Sequence, residues 1–184
     1  MKKIILPIVA LMLLFTSCKE EKTEVTENTA FNQFLENYYQ GGLQLNPIGA
    51  TFAGDNRYND QFPDFLSDEF QEKAKAFYEK YAIGLEGFKD ENLTEDQKTS
   101  KAILAWDTRM TLAQLSFKKD LLLPINQMWT INLTIGQLAS GSSAQPFETV
   151  EDYNKWLQRM DGFNAWLQSA KSRMEQGMKE GFVL

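Results

Sequence analysis

Apolar residues recur along this chain at helical steps, and polar or turn-forming residues separate the runs. Phe31, Phe34, Leu35 and Tyr38 lie three, four and seven apart, and Gly41-Gly42 reads as the end of that helix. Asn46-Pro47 then reads as an N-cap with proline at the first helical position, opening a short segment that stops at Gly54. The stretch from Asp55 to Asp64 is rich in turn residues. Ser67 is placed to cap a long helix whose inward stripe is Phe70, Ala74, Phe77, Tyr78, Tyr81, Leu85 and Phe88. Thr94 and Gln97 fit a capping box, and the helix after them carries Ile103, Trp106, Met110, Ala113 and Phe117 along one face, read as its core side. Thr149 caps a last helix with Val150, Tyr153, Leu157 and Met160 inward, a bend or break allowed at Gly162, and Gly181 as its C′ residue.

One segment resists this reading. Trp129 to Ile135 alternates apolar and polar residues as a strand does, yet one strand cannot form a sheet alone. A buried loop or irregular helix competes with the extended reading there. The expected fold class is therefore mainly α, with packed helices and at most one short extended segment near 129–135.

The N-terminus has a different pattern. Lys2 and Lys3 precede an uncharged run from Ile4 to Phe15, and Thr16-Ser17-Cys18 follows. A basic start, an apolar run and small residues make a secretory signal. The run is shorter than the roughly 20 apolar residues a membrane-spanning helix needs. Cys18 directly after the small residues resembles a bacterial lipobox, which makes Cys18 the site of lipid attachment and residues 1–17 a lipoprotein signal peptide. Residues 18–30 are polar enough to read as a tether, and residues 31–184 as one helical domain. Lys19-Glu20-Glu21 carries two readings: a signal for the outer face of the outer membrane, or a solvated spacer. The expected location is the cell envelope, with the outer membrane as the holding bilayer.

Charge narrows the partners. The chain has 19 Lys+Arg and 25 Asp+Glu; without residues 1–17 the formal charge moves from −6 to −8, because two lysines leave. Such a chain repels phosphate backbones, so no nucleic acid partner is expected. The membrane connection should run through lipid on Cys18. Cys18 is the only cysteine, so no internal disulfide forms and packing must supply the stability.

Histidine is absent. Zinc hydrolase sites and most Ser or Cys nucleophile systems depend on it. Paired carboxylates could still act, and Asp55, Asp60, Asp64, Asp68 and Glu69 crowd one region, where capping and turn formation are the competing jobs. A calcium loop begun at Asp55 fails, because Arg57 stands at its third place and Asp60 at its sixth. Trp106, Trp156 and Trp166 fall within helical apolar patterns and read as core. Trp129 is less constrained and is the natural test for a sugar-stacking surface. No catalytic, cofactor or metal residue is assigned in this chain.

A family resemblance enters through ordered blocks. Asn46-Pro47-Ile48-Gly49-Ala50-Thr51-Phe52-Ala53-Gly54, continuing through Tyr58, Asp60 and Phe62-Pro63-Asp64 to Ser67, resembles the N-terminal part of the bacterial family called domain of unknown function 885. Glu148 to Tyr153 with Arg159 and Met160, and the ending Gly177 to Leu184, resemble two further blocks. The resemblance implies an α-helical, zinc-metallopeptidase-like protein of several hundred residues whose His-Glu metal segment lies far downstream. Zinc is then expected only in a C-terminal part that this sequence lacks, together with a peptide substrate for the full-length protein. Pro47, Gly54, Tyr58, Asp60 and Pro63 match the pattern and are assigned to folding. The expected role is the non-catalytic N-terminal portion of a lipid-anchored exported protein, with the end at Leu184 read as a truncation. A short surface lipoprotein binding peptide or glycan is the rival reading, and a purely structural envelope lipoprotein the third.

Overall fold

The computed structural model describes residues 26–125 and 130–182, so the expected signal peptide, Cys18, Lys19-Glu20-Glu21 and Trp129 lie outside the described residues. Six helices form among the described residues: α1 (Thr29–Leu45), α2 (Pro47–Phe52), α3 (Asp68–Gly84), α4 (Glu95–Ser116), α5 (Ile131–Leu138) and α6 (Val150–Lys179). No strand forms among them, and none of the helices is long and apolar enough to cross a membrane.

The helix starts are local events. The Asn46 side chain accepts from the Gly49 backbone N–H at 2.9 Å, with Pro47 at the first turn of α2. Ser67 Oγ accepts from Phe70 N–H at 3.1 Å. Thr94 and Gln97 exchange side-chain-to-backbone bonds at 3.3 Å in a capping box, and Thr149 with Asp152 forms a second one. At the far end of α6, Gly181 takes φ +83° while Phe182 N–H reaches Gly177 O at 2.8 Å, a Schellman closure that leaves few carbonyls unpaired.

Several expectations are corrected. Helix α1 already includes Thr29 and Ala30, which the expected tether had claimed, and the Asn28 side chain caps α1 through Phe31 N–H. Gly41-Gly42 does not end α1, which continues to Leu45. A Cβ on Gly41 would stand 2.3 Å from the Phe77 ring, so the glycine lets α1 approach α3. Gly162 does not break α6, which runs on to Lys179; a Cβ there would stand 2.5 Å from the Phe62 carbonyl oxygen. Residues 131–135 are helical, so the extended alternative fails there: Ile135 and Leu138 are buried, at helical rather than alternate spacing.

Two apolar cores result. Phe31, Leu85, Leu93 and Leu104 close the space between α1, α3 and α4, with Phe34, Tyr38 and Phe88 packed around them. Phe62, Leu66, Ile135, Trp166 and Ala170 form the other, under α6. Trp166 is fully buried and Trp156 half-buried, as their spacing suggests.

Two faces differ from expectation. Helix α4 buries Gln97, Leu104 and Thr108, whereas Ile103, Trp106, Met110 and Phe117 point to solvent. In helix α6 the difference is confined to its first half, where Val150, Tyr153 and Leu157 are exposed and Trp156 and Arg159 turn inward; Met160, Phe163, Trp166 and Ala170 lie on the core side, as expected.

Candidate functional site

Arg159 is the most constrained charged residue among those described. Helix α6 carries it on the same arc as Trp156, Phe163 and Trp166, so it enters the protein fully buried. Its Nε donates to Gln61 O at 3.1 Å and its Nη1 to Gln145 Oε1 at 2.7 Å. Its Nη2 donates to Tyr58 O at 2.7 Å, Thr51 Oγ1 at 2.9 Å and, more weakly, Pro47 O at 3.4 Å. Thr51 and Asn59, themselves buried, bond to each other at 2.6 Å and complete the network. The short helix α2 and the turn at Asn56–Tyr58 curl their carbonyls towards one point because Asp55 closes the turn, accepting from Arg57 N–H at 3.0 Å.

This network joins distant sequence. Pro47, Thr51, Tyr58 and Gln61 belong to the 46–67 block, and Arg159 lies about a hundred residues later. Burial pulls the Arg159 guanidinium down to about 10, with nearby Asp60 acting the other way. It remains charged at neutral pH, held by carbonyl dipoles rather than an ion pair. With no exposed surface, it acts as a cross-link and not as a substrate contact. Asp60 Oδ1 and Gln145 Nε2 are buried beside it without a protein partner. Sequence reading noticed Arg159 only within a family block. Its place three residues after Trp156 and seven before Trp166 was the available signal for an inward position.

The five carboxylates raised as an acid/base set are engaged or dispersed. Asp55 pairs with Arg57 at 2.5 Å, and the bond to Arg57 holds its carboxyl below the usual value. Asp64 Oδ1 accepts from Leu66 N–H at 3.2 Å and Oδ2 from Ser169 Oγ at 2.5 Å. Asp68 pairs with Arg173 at 2.9 Å. Glu69 is exposed in the first turn of α3, where an acid suits the helix dipole. Only Asp60 keeps a buried unpartnered oxygen. No group of three His, Cys, Asp or Glu suited to a metal ion occurs among the described residues, and the chain has no histidine. The zinc implied by the family resemblance therefore does not fit the residues here.

Other polar and apolar features build structure. Tyr38 donates its hydroxyl to Asp107 between α1 and α4, within a cluster of Phe34, Phe77, Tyr78 and Tyr81. Burial, then the bond to Asp107, raises that hydroxyl well above its ordinary range, so it stays a donor. A groove of about 550 Å³ runs beside the end of α6, lined mostly by apolar residues including Leu123, Leu167, Met174 and Met178. Its charged rim residues Lys171 and Glu175 approach each other at 3.8 Å.

Comparison with known proteins adds one finding. No curated protein and no solved structure matches this chain. A family model described as a bacterial protein of unknown function, DUF885, matches residues 47–184, from the first residue of α2 onward, and the chain belongs to that family.

Proposed function

We propose that this chain is the N-terminal, non-catalytic helical part of a lipid-anchored, exported protein of the DUF885 family. Its task is to hold a shape, a helical wall beside which a peptidase-like part of such a protein would work. One observation carries the reading: Arg159 spends its buried donors on Pro47, Thr51, Tyr58, Gln61 and Gln145, so the residues of the two family blocks are used to fasten α6 to α2 and the following turn. The engaged carboxylates support it, since Asp55, Asp64 and Asp68 are each committed to a cap or a pair. The anchor rests on Lys2-Lys3, the apolar run and Cys18, and the outer-membrane destination on Lys19-Glu20-Glu21. A metallopeptidase-like activity in the family would need ligands that this sequence does not contain.

The test uses the mature acylated chain extracted in detergent. Elemental analysis should find no stoichiometric zinc, and a library of fluorogenic peptides should remain uncleaved. One zinc per chain, or hydrolysis that a chelator stops, would overturn the proposal. Labelled palmitate should enter the wild-type chain and not Cys18→Ser; equal labelling would remove the anchor.

A further inference from the structure

We infer that the outward face of α4 seats on the bilayer that holds the chain, as a second contact beside the lipid; this rests on the reading of Cys18 as an acylated anchor. Thr99, Ile103, Trp106, Met110, Ala113 and Phe117 follow one another at steps of four and three, which lines them along one side of the helix. Ile103, Trp106 and Phe117 are 63%, 58% and 63% exposed, and Met110 is also exposed. In a chain of net negative charge, this side carries no acid from Thr99 to Phe117. Asp107 and Arg109 flank the stripe on opposite edges: Asp107 is half-buried and accepts from the Tyr38 hydroxyl, whereas Arg109 is exposed. Arg109 makes no hydrogen bond or ion pair among the described residues, and a cation there suits lipid phosphate. Trp and Phe on an apolar side, with a cation at one edge, suit the headgroup boundary, where an aromatic ring keeps one end apolar and the other wet.

The position of the chain's entry selects a membrane as the occupant. Asn28 N–H donates to Gln97 Oε1 at 3.0 Å, and Gln97 Nε2 donates back to Asn28 O at 3.0 Å. The first described turn is thus clasped to the first turn of α4. Ten residues separate Cys18 from Asn28 and span at most about 35 Å. Phe117 lies twenty residues along α4 from Gln97, about 30 Å at the helical rise. At full extension that connection is comparable to the length of α4, so the acylated cysteine stays within one helix length of the clasp. A connection this short presents the face to its own membrane at an effective concentration in the millimolar range, so weak intrinsic affinity suffices. A second copy is a poorer occupant. Four half-exposed side chains present on the order of 500 Å² per copy, so a pair stays below the roughly 1,200 Å² at which stable interfaces begin.

The experiment places the acylated full chain in phosphatidylcholine vesicles containing lipids brominated in their acyl tails. The lipid occupies Cys18, so Met110→Cys supplies the single free thiol for an environment-sensitive dye. Lys73→Cys, exposed on α3, serves as the solvent control. The expected result is blue-shifted emission and several-fold stronger quenching at position 110 than at 73. Adding Ile103→Ser, Trp106→Ser and Phe117→Ser should abolish that difference while the chain still sediments with the vesicles. Equal, weak quenching at 110 and 73 with the chain sedimenting normally overturns this inference and leaves the anchor intact. Dye self-quenching between copies without bromine quenching also overturns it, in favour of a dimer. A Cys18→Ser chain that sediments as well as wild type, in a preparation whose mass shows no acyl group, overturns the anchor on which the inference stands.

Discussion

Replacing Arg159 by alanine should remove a large share of the stability of this fold. The guanidinium makes five bonds to buried or half-buried acceptors, at 2.7 to 3.4 Å. Two of those acceptors keep company without it, because Thr51 Oγ1 also bonds to Pro47 O at 3.0 Å. Tyr58 O likewise keeps Gln61 N–H at 3.0 Å, so Gln61 O and Gln145 Oε1 are the two left without their partner. An orphaned buried acceptor costs about 1–3 kcal/mol, and entry of water at the exposed Gln61 lowers that, so the two together give a loss on the order of 2–4 kcal/mol. A domain of this size has only some 5–15 kcal/mol in total. Arg159→Lys keeps the charge but cannot reach the diverging acceptors with one ammonium, so it should fall between wild type and alanine. Urea unfolding followed by far-UV circular dichroism measures both, with the slope checked for unchanged cooperativity. A loss below about 1 kcal/mol for Arg159→Ala, at unchanged slope, would refute the cross-link, because that is the ordinary cost of a substitution outside such networks.

Two further expectations concern helix α6. Gly162→Ala should lower the melting temperature even though alanine gains up to about 1 kcal/mol of helix propensity, because its Cβ would meet the Phe62 carbonyl at 2.5 Å. Gly136→Ala in α5, with nothing within 4 Å, should raise it, so a rise for both would show that Gly162 is not a contact point. The Asp152 carboxyl is held below its usual 3.8, first by the Thr149 side chain and then by its backbone N–H. A lowered folded-state value stabilises above 3.8, and that contribution is lost as pH falls through the lowered value. Asp152→Asn should therefore flatten the acid limb of the stability profile, and an unchanged limb would exclude the cap as a contributor.

The helix starts were legible because capping is decided within four residues. Asn46-Pro47, Ser67, Thr94 with Gln97, and Thr149 each bond their own next turn, so no distant partner can change the outcome. The family blocks were legible for the same reason, being continuous in sequence. The orientation of a helix is not local. Either side of α4 could have served as core by composition, and its bulkier side lost. Tyr38 from α1 bonds Asp107, and Leu85, next after α3, packs with Leu104. Those contacts span many residues, and they leave Ile103, Trp106 and Phe117 outward. Gly41 read as a stop, since nothing nearby in sequence announces that Phe77 comes to lie against it. Arg159 is the clearest case. A charged residue belongs in water unless acceptors surround it, and its acceptors at Pro47, Tyr58 and Gln61 come from roughly a hundred residues earlier. The sequence by itself determined where α2, α3, α4 and α6 begin and to which family the chain belongs. Only the tertiary structure decided which faces were buried and that an arginine joins the two blocks, because burial and hydrogen-bond satisfaction depend on partners that the fold alone brings together.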